Sequence, residues 1–304
     1  MKNNTLKSST KLFRKLCFLC AAFALGGALN AQAAPKRVLV VTTTLGFRHS
    51  SIPTAEEVLG KLAQKSGAFT VDYARVEPND PRYAGADGKP DHTKVEAAIK
   101  EVLAEKMSPT ALKHYDCVIF ANTTGDLSIP DKQAFLDWIK SGKGFVAMHS
   151  GSDTFHGFPG YIEMLGGEFQ THHQQAAVDA INQDNKCPAC RHLPATWKVF
   201  DEIYLFKNFD RSKVHGLLTL DKHPNDKTPG DYPISWCKQY GKGRVFYTSL
   251  GHREDVWDPN WKDAHGERKN SPQVAEAYQQ HILGGIKWAL GLEKGSAKPQ
   301  TAPK

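Results

Sequence analysis

Three uninterrupted apolar runs constrain this chain more than anything else in it. They span Arg37 to Thr43, Tyr115 to Ala121 and Phe145 to Met148. A strand with one wet face alternates apolar and polar residues, whereas a run without alternation belongs to a strand covered on both faces, as in a parallel sheet between helices. The intervening sequence has helical periodicity. Pro53 opens a pattern through Leu59 and Leu62 that stops at Ser66-Gly67, and Pro130 to Ser141 places Phe135, Trp138 and Ile139 on one face. Ala68 to Ala74 reads as another strand, and helix-forming sequence runs up to Lys106 after a Pro/Asp/Gly-rich loop from Glu77 to Pro90. Strands alternating with helices predict an α/β three-layer sandwich on a mainly parallel sheet. Extra strands are expected in the C-terminal half, at Gln175–Ile181, Asp201–Phe206, Val214–Leu220, Tyr232–Cys237 and Val245–Leu250, before a closing helix, Pro272–Leu290. Residues 34–293 read as one domain and 294–304 as a loose tail.

The formal charge of +7 sits at the ends of the chain. Residues 1–33 carry Lys2, Lys7, Lys11, Arg14 and Lys15 and no acid, and without them 34 bases face 32 acids. Removing Lys294, Lys298 and Lys304 of the tail leaves 31 bases against 32, so no broad basic surface for nucleic acid is expected. The leading segment has a basic start, an apolar stretch of 14 residues from Leu16 to Leu29, and Ala31-Gln32-Ala33 before Pro35. That is the layout of a signal peptide over 1–33, cut after Ala33. The stretch is short for a membrane span, so an exported protein, periplasmic or extracellular and without stable membrane insertion, is expected. Cys117 and Cys237 lie in strand-like runs and read as buried apolar residues. Cys187-Pro-Ala-Cys190 lies in a polar loop, where an oxidising compartment favours a local disulfide between Cys187 and Cys190.

In such sheets ligands bind beyond the carboxyl ends of the strands. Three loops meet that rule: Thr44–Ser51, Asn122–Ile129 and His149–Pro159. Several of the 13 histidines follow strands, among them His49, His149 and His252. Met148 ends a strand and the chain turns at once through His149-Ser150-Gly151, a layout like a nucleophile elbow with imidazole in the reactive position. The serines there lack the flanking glycines of a hydrolase elbow. Ser249-Leu-Gly-His-Arg-Glu254 leaves a late strand with a carboxylate two residues after His252, a spacing suited to orienting the imidazole for acid/base work. His149, His252, Glu254 and Asp153 are the catalytic candidates.

With the surrounding text these elements resemble the ThuA-like (trehalose utilisation) family. The matching segments are Val38-Leu-Val-Val-Thr with Gly46-Phe-Arg-His49, Gly144-Phe-Val-Ala-Met-His-Ser150, Tyr161-Ile-Glu-Met-Leu-Gly-Gly-Glu-Phe169, His172-His173, Asp201-Glu-Ile-Tyr204, Tyr232-Pro-Ile-Ser-Trp236 and Gly243-Arg-Val-Phe-Tyr-Thr-Ser-Leu-Gly-His252. The resemblance implies a flavodoxin-like sandwich of the class I glutamine amidotransferase type. Glutaminases of that fold need a thiol at the elbow, and His149 stands there, so glutamine hydrolysis is not expected. What the resemblance implies instead is carbohydrate work on a disaccharide or 3-keto-glycoside, with a sugar oxidoreductase as pathway partner. Cleavage or rearrangement would proceed by acid/base chemistry, with His149 or His252 as base and Asp153 or Glu202 assisting. Arg48, His49, His172, His173, Glu202 and Trp257 are the expected substrate contacts, alongside aromatic residues such as Phe47 and Tyr204. His49 with His172 and His173 is a candidate site for a divalent metal such as zinc. The alternative is a non-catalytic sugar-binding or scaffold protein on the same fold.

Overall fold

The structure, a computed structural model, describes residues 34–300 together with Met1; the expected signal peptide lies outside the described residues. The chain runs β1 (Lys36–Val41), α1 (Ile52–Ser66), β2 (Phe69–Ala74), α2 (His92–Met107), α3 (Pro109–Leu112), β3 (Cys117–Ala121), α4 (Lys132–Lys140) and β4 (Gly144–Met148). A 3-10 turn (His149–Asp153) leads to α5 (Pro159–Leu165), β5 (Glu168–His172), β6 (Ala176–Asn182), β7 (Thr196–Asp201), β8 (Tyr204–Lys207), β9 (His215–Lys222), β10 (Pro229–Tyr240), β11 (Gly243–Thr248), α6 (Glu254–Trp257) and α7 (Pro272–Ala289).

Nine strands form one sheet in the order β2-β1-β3-β4-β11-β10-β9-β6-β7. The first five are parallel and the rest join antiparallel. This is the expected parallel core, with extra strands from the C-terminal half extending it. All five residues of β3 and of β4 are buried, as their unbroken apolar runs require. The apolar faces of α1 and α7 cover one side of the sheet and those of α2, α4 and α5 the other. Among the described residues no helix is long and apolar enough to cross a membrane.

Three expectations change. The run Asp201–Phe206 breaks after Asp201, where β7 ends, and resumes as β8, which leaves the main sheet to pair with β5. Cys187 and Cys190 are separate buried thiols three residues apart on one turn, and Cys190 Sγ faces Leu217 O and His281 Nδ1 under α7. Burial pushes the Cys187 thiol up to about 11 and raises Cys190 well above the usual thiol range, so neither offers a reactive thiolate. The tail, expected to be loose, is tied down as far as it is described: His215 Nδ1 donates to Lys298 O and Trp288 Nε1 to Gly295 O.

The packing of α7 depends on Gly284 and Gly285. A Cβ on Gly285 would stand 2.5 Å from the Phe246 ring of β11, and one on Gly284 only 2.2 Å from Pro188 O. Gly285→Ala therefore destabilises the fold by about 1–3 kcal/mol, although alanine is the better helix former; urea unfolding reads this directly. Nearby His281 is fully buried, with Nδ1 donating to Ala189 O, and burial pulls its pKa down to about 3. The unfolded chain takes up a proton near pH 6.5 that the folded chain refuses. The stability contributed by neutral His281 is complete above that pH and is lost as pH falls toward 3, by up to about 1.4 kcal/mol per pH unit. His281→Gln removes this share of the acid limb in unfolding curves taken across that range.

Candidate functional site

Three parallel strands and one crossing between sheets aim their ends at a single point. The loop after β1 brings His49, the elbow after β4 brings His149, the loop after β11 brings His252, and the break between β7 and β8 brings Glu202. One ligand atom from each lies within 4.8 Å of all the others.

His149 fixes the geometry. It takes the left-handed conformation (φ 45°), rare for a residue with a side chain, and this lifts the imidazole over the sheet edge. Its Nδ1 is 2.8 Å from Ser249 O, an acceptor only, so Nδ1 carries the proton and Nε2 is bare. Around that bare nitrogen stand His49 Nε2 at 3.2 Å, His252 Nδ1 at 3.3 Å and Glu202 Oε1 at 3.6 Å. His252 Nδ1 and Glu202 Oε1 are themselves 3.3 Å apart. Tetrahedral bonds of about 2.0–2.1 Å to nitrogen and oxygen put ligand atoms about 3.3–3.4 Å apart. Three of these contacts, at 3.2, 3.3 and 3.3 Å, are close to that spacing, and all four ligand atoms lie within 4.8 Å of one another, so the three imidazoles and the carboxylate are placed to close on a zinc-type ion.

The surroundings prepare these donors. Burial and the neighbouring His252 hold His49 neutral, with its pKa pulled down to about 3, and burial with His49 and His252 holds His149 well below the usual imidazole range. At His252 burial also opposes the charge, but the hydrogen bond and charge of Glu202 outweigh it and raise the pKa. The loop carrying His252 is pinned at Gly251, which at φ 122° has no room for a side chain beside Tyr278 and Trp257. Gly251 N donates to Asp201 Oδ2 at 2.7 Å, and Gly251 O accepts from Ser51 Oγ, Asn122 Nδ2 and Trp257 Nε1. Asp201 is fully buried, and burial raises its pKa to about 6. The Tyr204 ring packs 4.3 Å from that of His149, and Ser150 Oγ meets His49 Nδ1 at 3.2 Å.

Several sequence candidates are placed elsewhere. Glu254, expected to orient His252, begins α6 and acts on it only as a nearby charge; Glu202 makes the contact. Asp153 closes the 3-10 turn and binds His156 Nε2 at 2.6 Å, and His156 Nδ1 in turn meets Glu168. Trp257 is wholly buried against Tyr278, so it supports the His252 loop and cannot touch a substrate. Of the metal candidates only His49 joins the cluster. His172 Nδ1 instead holds the outer oxygen of Glu202 at 3.0 Å, and the His173 ring packs near His223. Consecutive residues at the end of β5 diverge, which is why the pair does not act together. Arg48 Nη2 binds Glu77 at 2.9 Å on the flank of the site. Phe47 stays 67 % exposed with its ring edge-on to His49. Asp201 and Asn122 went unnoticed as supports; Asn122 follows the all-buried β3, and Asp201 ends the alternating edge strand β7.

Fold and site together define the class: an α/β protein on a mainly parallel sheet whose elbow presents an imidazole, with a three-histidine, one-carboxylate cluster at the carboxyl ends of its strands. The chain belongs to the ThuA trehalose-utilisation family, whose model matches residues 37–289. In fold it is similar to a ThuA-like protein from Bacteroides uniformis (18 % identity, 88 % of this chain and 96 % of that one, TM-score 0.58). It is likewise similar to one from Parabacteroides merdae (18 % identity, 89 % and 94 %, TM-score 0.56). No curated protein matches the chain.

The geometry makes a measurable demand. The purified chain binds about one equivalent of a divalent transition metal by elemental analysis, His149→Ala and Glu202→Ala lose it, and His173→Ala keeps it. Equal retention in all three variants contradicts the assignment.

Proposed function

We propose that this protein is an exported carbohydrate-processing enzyme that cleaves or rearranges a 3-keto-glycoside at the His49–His149–Glu202–His252 cluster. The observation that carries this is the convergence of three imidazoles and a carboxylate whose ligand atoms lie within 4.8 Å of one another, with Nε2 of His149 bare among them. The family's trehalose-utilisation description supports the substrate class, and the leader-like segment over residues 1–33 supports export. A partner sugar oxidoreductase would supply the keto group.

His49, His149, His252 and Glu202 would hold a divalent cation, which would supply Lewis-acid polarisation of a carbonyl and so acidify the proton on the adjacent carbon. The chain's own groups do the rest. The imidazoles of His149 and His252, expected from sequence to serve as bases, are committed with His49 as donors. His172 is not: its Nδ1 is held by Glu202, its Nε2 has no partner among the described residues, and its side chain is 45 % exposed at the mouth of the cluster. We assign it to accept the acidified proton. The C–H electrons form a carbon–carbon double bond as the glycosidic C–O bond breaks, and the proton taken by His172 passes, directly or through solvent, to the departing sugar oxygen. Tyr204, packed on His149, and the Phe47 ring beside His49 screen the donors from bulk water.

Turnover of 3-keto-trehalose or 3-keto-sucrose by the loaded protein tests this reading. Chelation abolishes product formation and re-addition of zinc restores it. His172→Ala lowers kcat by roughly 10²–10⁴ with metal content unchanged. Undiminished turnover after chelation removes the metal from the reaction, and saturable binding without product makes this a sugar-binding protein instead.

A further inference from the structure

His49 faces a partner at each ring nitrogen. Its Nε2 lies 3.2 Å from Nε2 of His149, and its Nδ1 lies 3.2 Å from Ser150 Oγ. All three residues are buried, so the protein itself has to satisfy the ring.

The two partners differ in kind. Ser249 O keeps the proton of the His149 ring on Nδ1, so Nε2 of His149 can only accept. His252 Nδ1 also approaches that nitrogen, at 3.3 Å, but it has a charged acceptor of its own in Glu202 Oε1, also at 3.3 Å. The donor to His149 is therefore His49 Nε2–H. A neutral imidazole carries one N–H, so Nδ1 of His49, a ring kept neutral by burial, is then bare and accepts from the Ser150 hydroxyl.

A bound cation requires the reverse. A ligating nitrogen is bare, so Nε2 of His49 gives up its proton and the neutral ring carries one on Nδ1 instead. That N–H needs an acceptor, and the same hydroxyl oxygen accepts it once its own hydrogen has turned away. Neither the ring nor the elbow has to move. A carbonyl in this place would lock one tautomer, as Ser249 O does for His149, and an alanine would leave a buried ring nitrogen unpaired in either state.

We propose that Ser150 is a positioning residue that lets His49 exchange tautomers, from Nε2–H before a cation binds to Nδ1–H afterwards. The proton lost at Nε2 is matched by one gained at Nδ1 through exchange with solvent, so the ring stays neutral. The elbow thus supplies one ligand of fixed tautomer, His149, and its next residue governs a second ligand whose tautomer is free to change. The proposal rests on the four-donor centre described above and not on the sugar. The turn itself does not depend on the hydroxyl: Tyr247 OH donates to His149 O at 2.8 Å and Tyr161 OH to Gly151 O at 2.7 Å.

Long-range proton–nitrogen NMR on the full chain with isotopically labelled histidine reads which ring nitrogen holds the proton. The His49 signals are assigned by their loss in His49→Gln. After treatment with a chelator His49 carries its proton on Nε2, and after loading with zinc on Nδ1, while His149 keeps Nδ1–H in both. Ser150→Ala lowers zinc affinity, measured by competition with a chromophoric chelator, by roughly 10–100-fold. An unchanged His49 tautomer in a chain that binds zinc, or parent affinity in Ser150→Ala, overturns the switch and leaves the metal centre standing. A parent chain that takes up no zinc overturns the centre, and the switch falls with it. The parent spectra decide the tautomer question independently of how the variant folds.

Discussion

The bond from His149 Nδ1 to Ser249 O holds the site together. It crosses from the end of β4 to the end of β11 and is possible only because those strands are parallel neighbours in register, Met148 beside Thr248. It sets the tautomer, turns Nε2 toward the other donors and secures a backbone conformation that costs on the order of 1–3 kcal/mol in a residue with a side chain. The sheet order brings the β1 and β11 loops to either side of the elbow, and the parallel half of the fold supplies three of the four donors.

The fourth shows how the site is balanced. Glu202 enters from the break between β7 and β8, with one oxygen inward to His252 and the other outward to His172. The carboxylate raises the pKa of His252, while burial keeps His49 and His149 neutral, so the group of imidazoles is divided between a protonatable member beside the acid and two deprotonated ones. Asp201, one residue earlier, turns inward instead and holds the His252 loop by its backbone. Successive acids on one short segment thus have different tasks, set by the alternation of an extended chain.

Most of the framework was legible in the sequence because burial on both faces leaves a pattern: the apolar runs at β1, β3 and β4, the proline and glycine helix boundaries, and the elbow at His149. Partnerships across the fold left none. Glu254 looked like the companion of His252 at two residues' distance, but α6 begins there, and the acid in contact is 50 positions earlier in the chain. Trp257 and His173 were drawn to the site by proximity in sequence to residues that belong there; the first is needed under the Gly251 loop and the second faces away at the end of β5. The thiols of Cys187 and Cys190 likewise answer to the packing of α7, which no local motif discloses.

The donors come from both halves of one sheet, and that has a bearing on how the protein is made. His49 and His252 are separated by most of the folded chain, and Glu202 follows the outermost antiparallel strand, so no fragment shorter than nearly the whole domain can assemble the cluster. During synthesis the emerging chain carries scattered imidazoles with ordinary basicity. Only docking of the last strands gathers and desolvates them. Competence therefore arrives abruptly and late, and an incompletely folded molecule has no partial version of it.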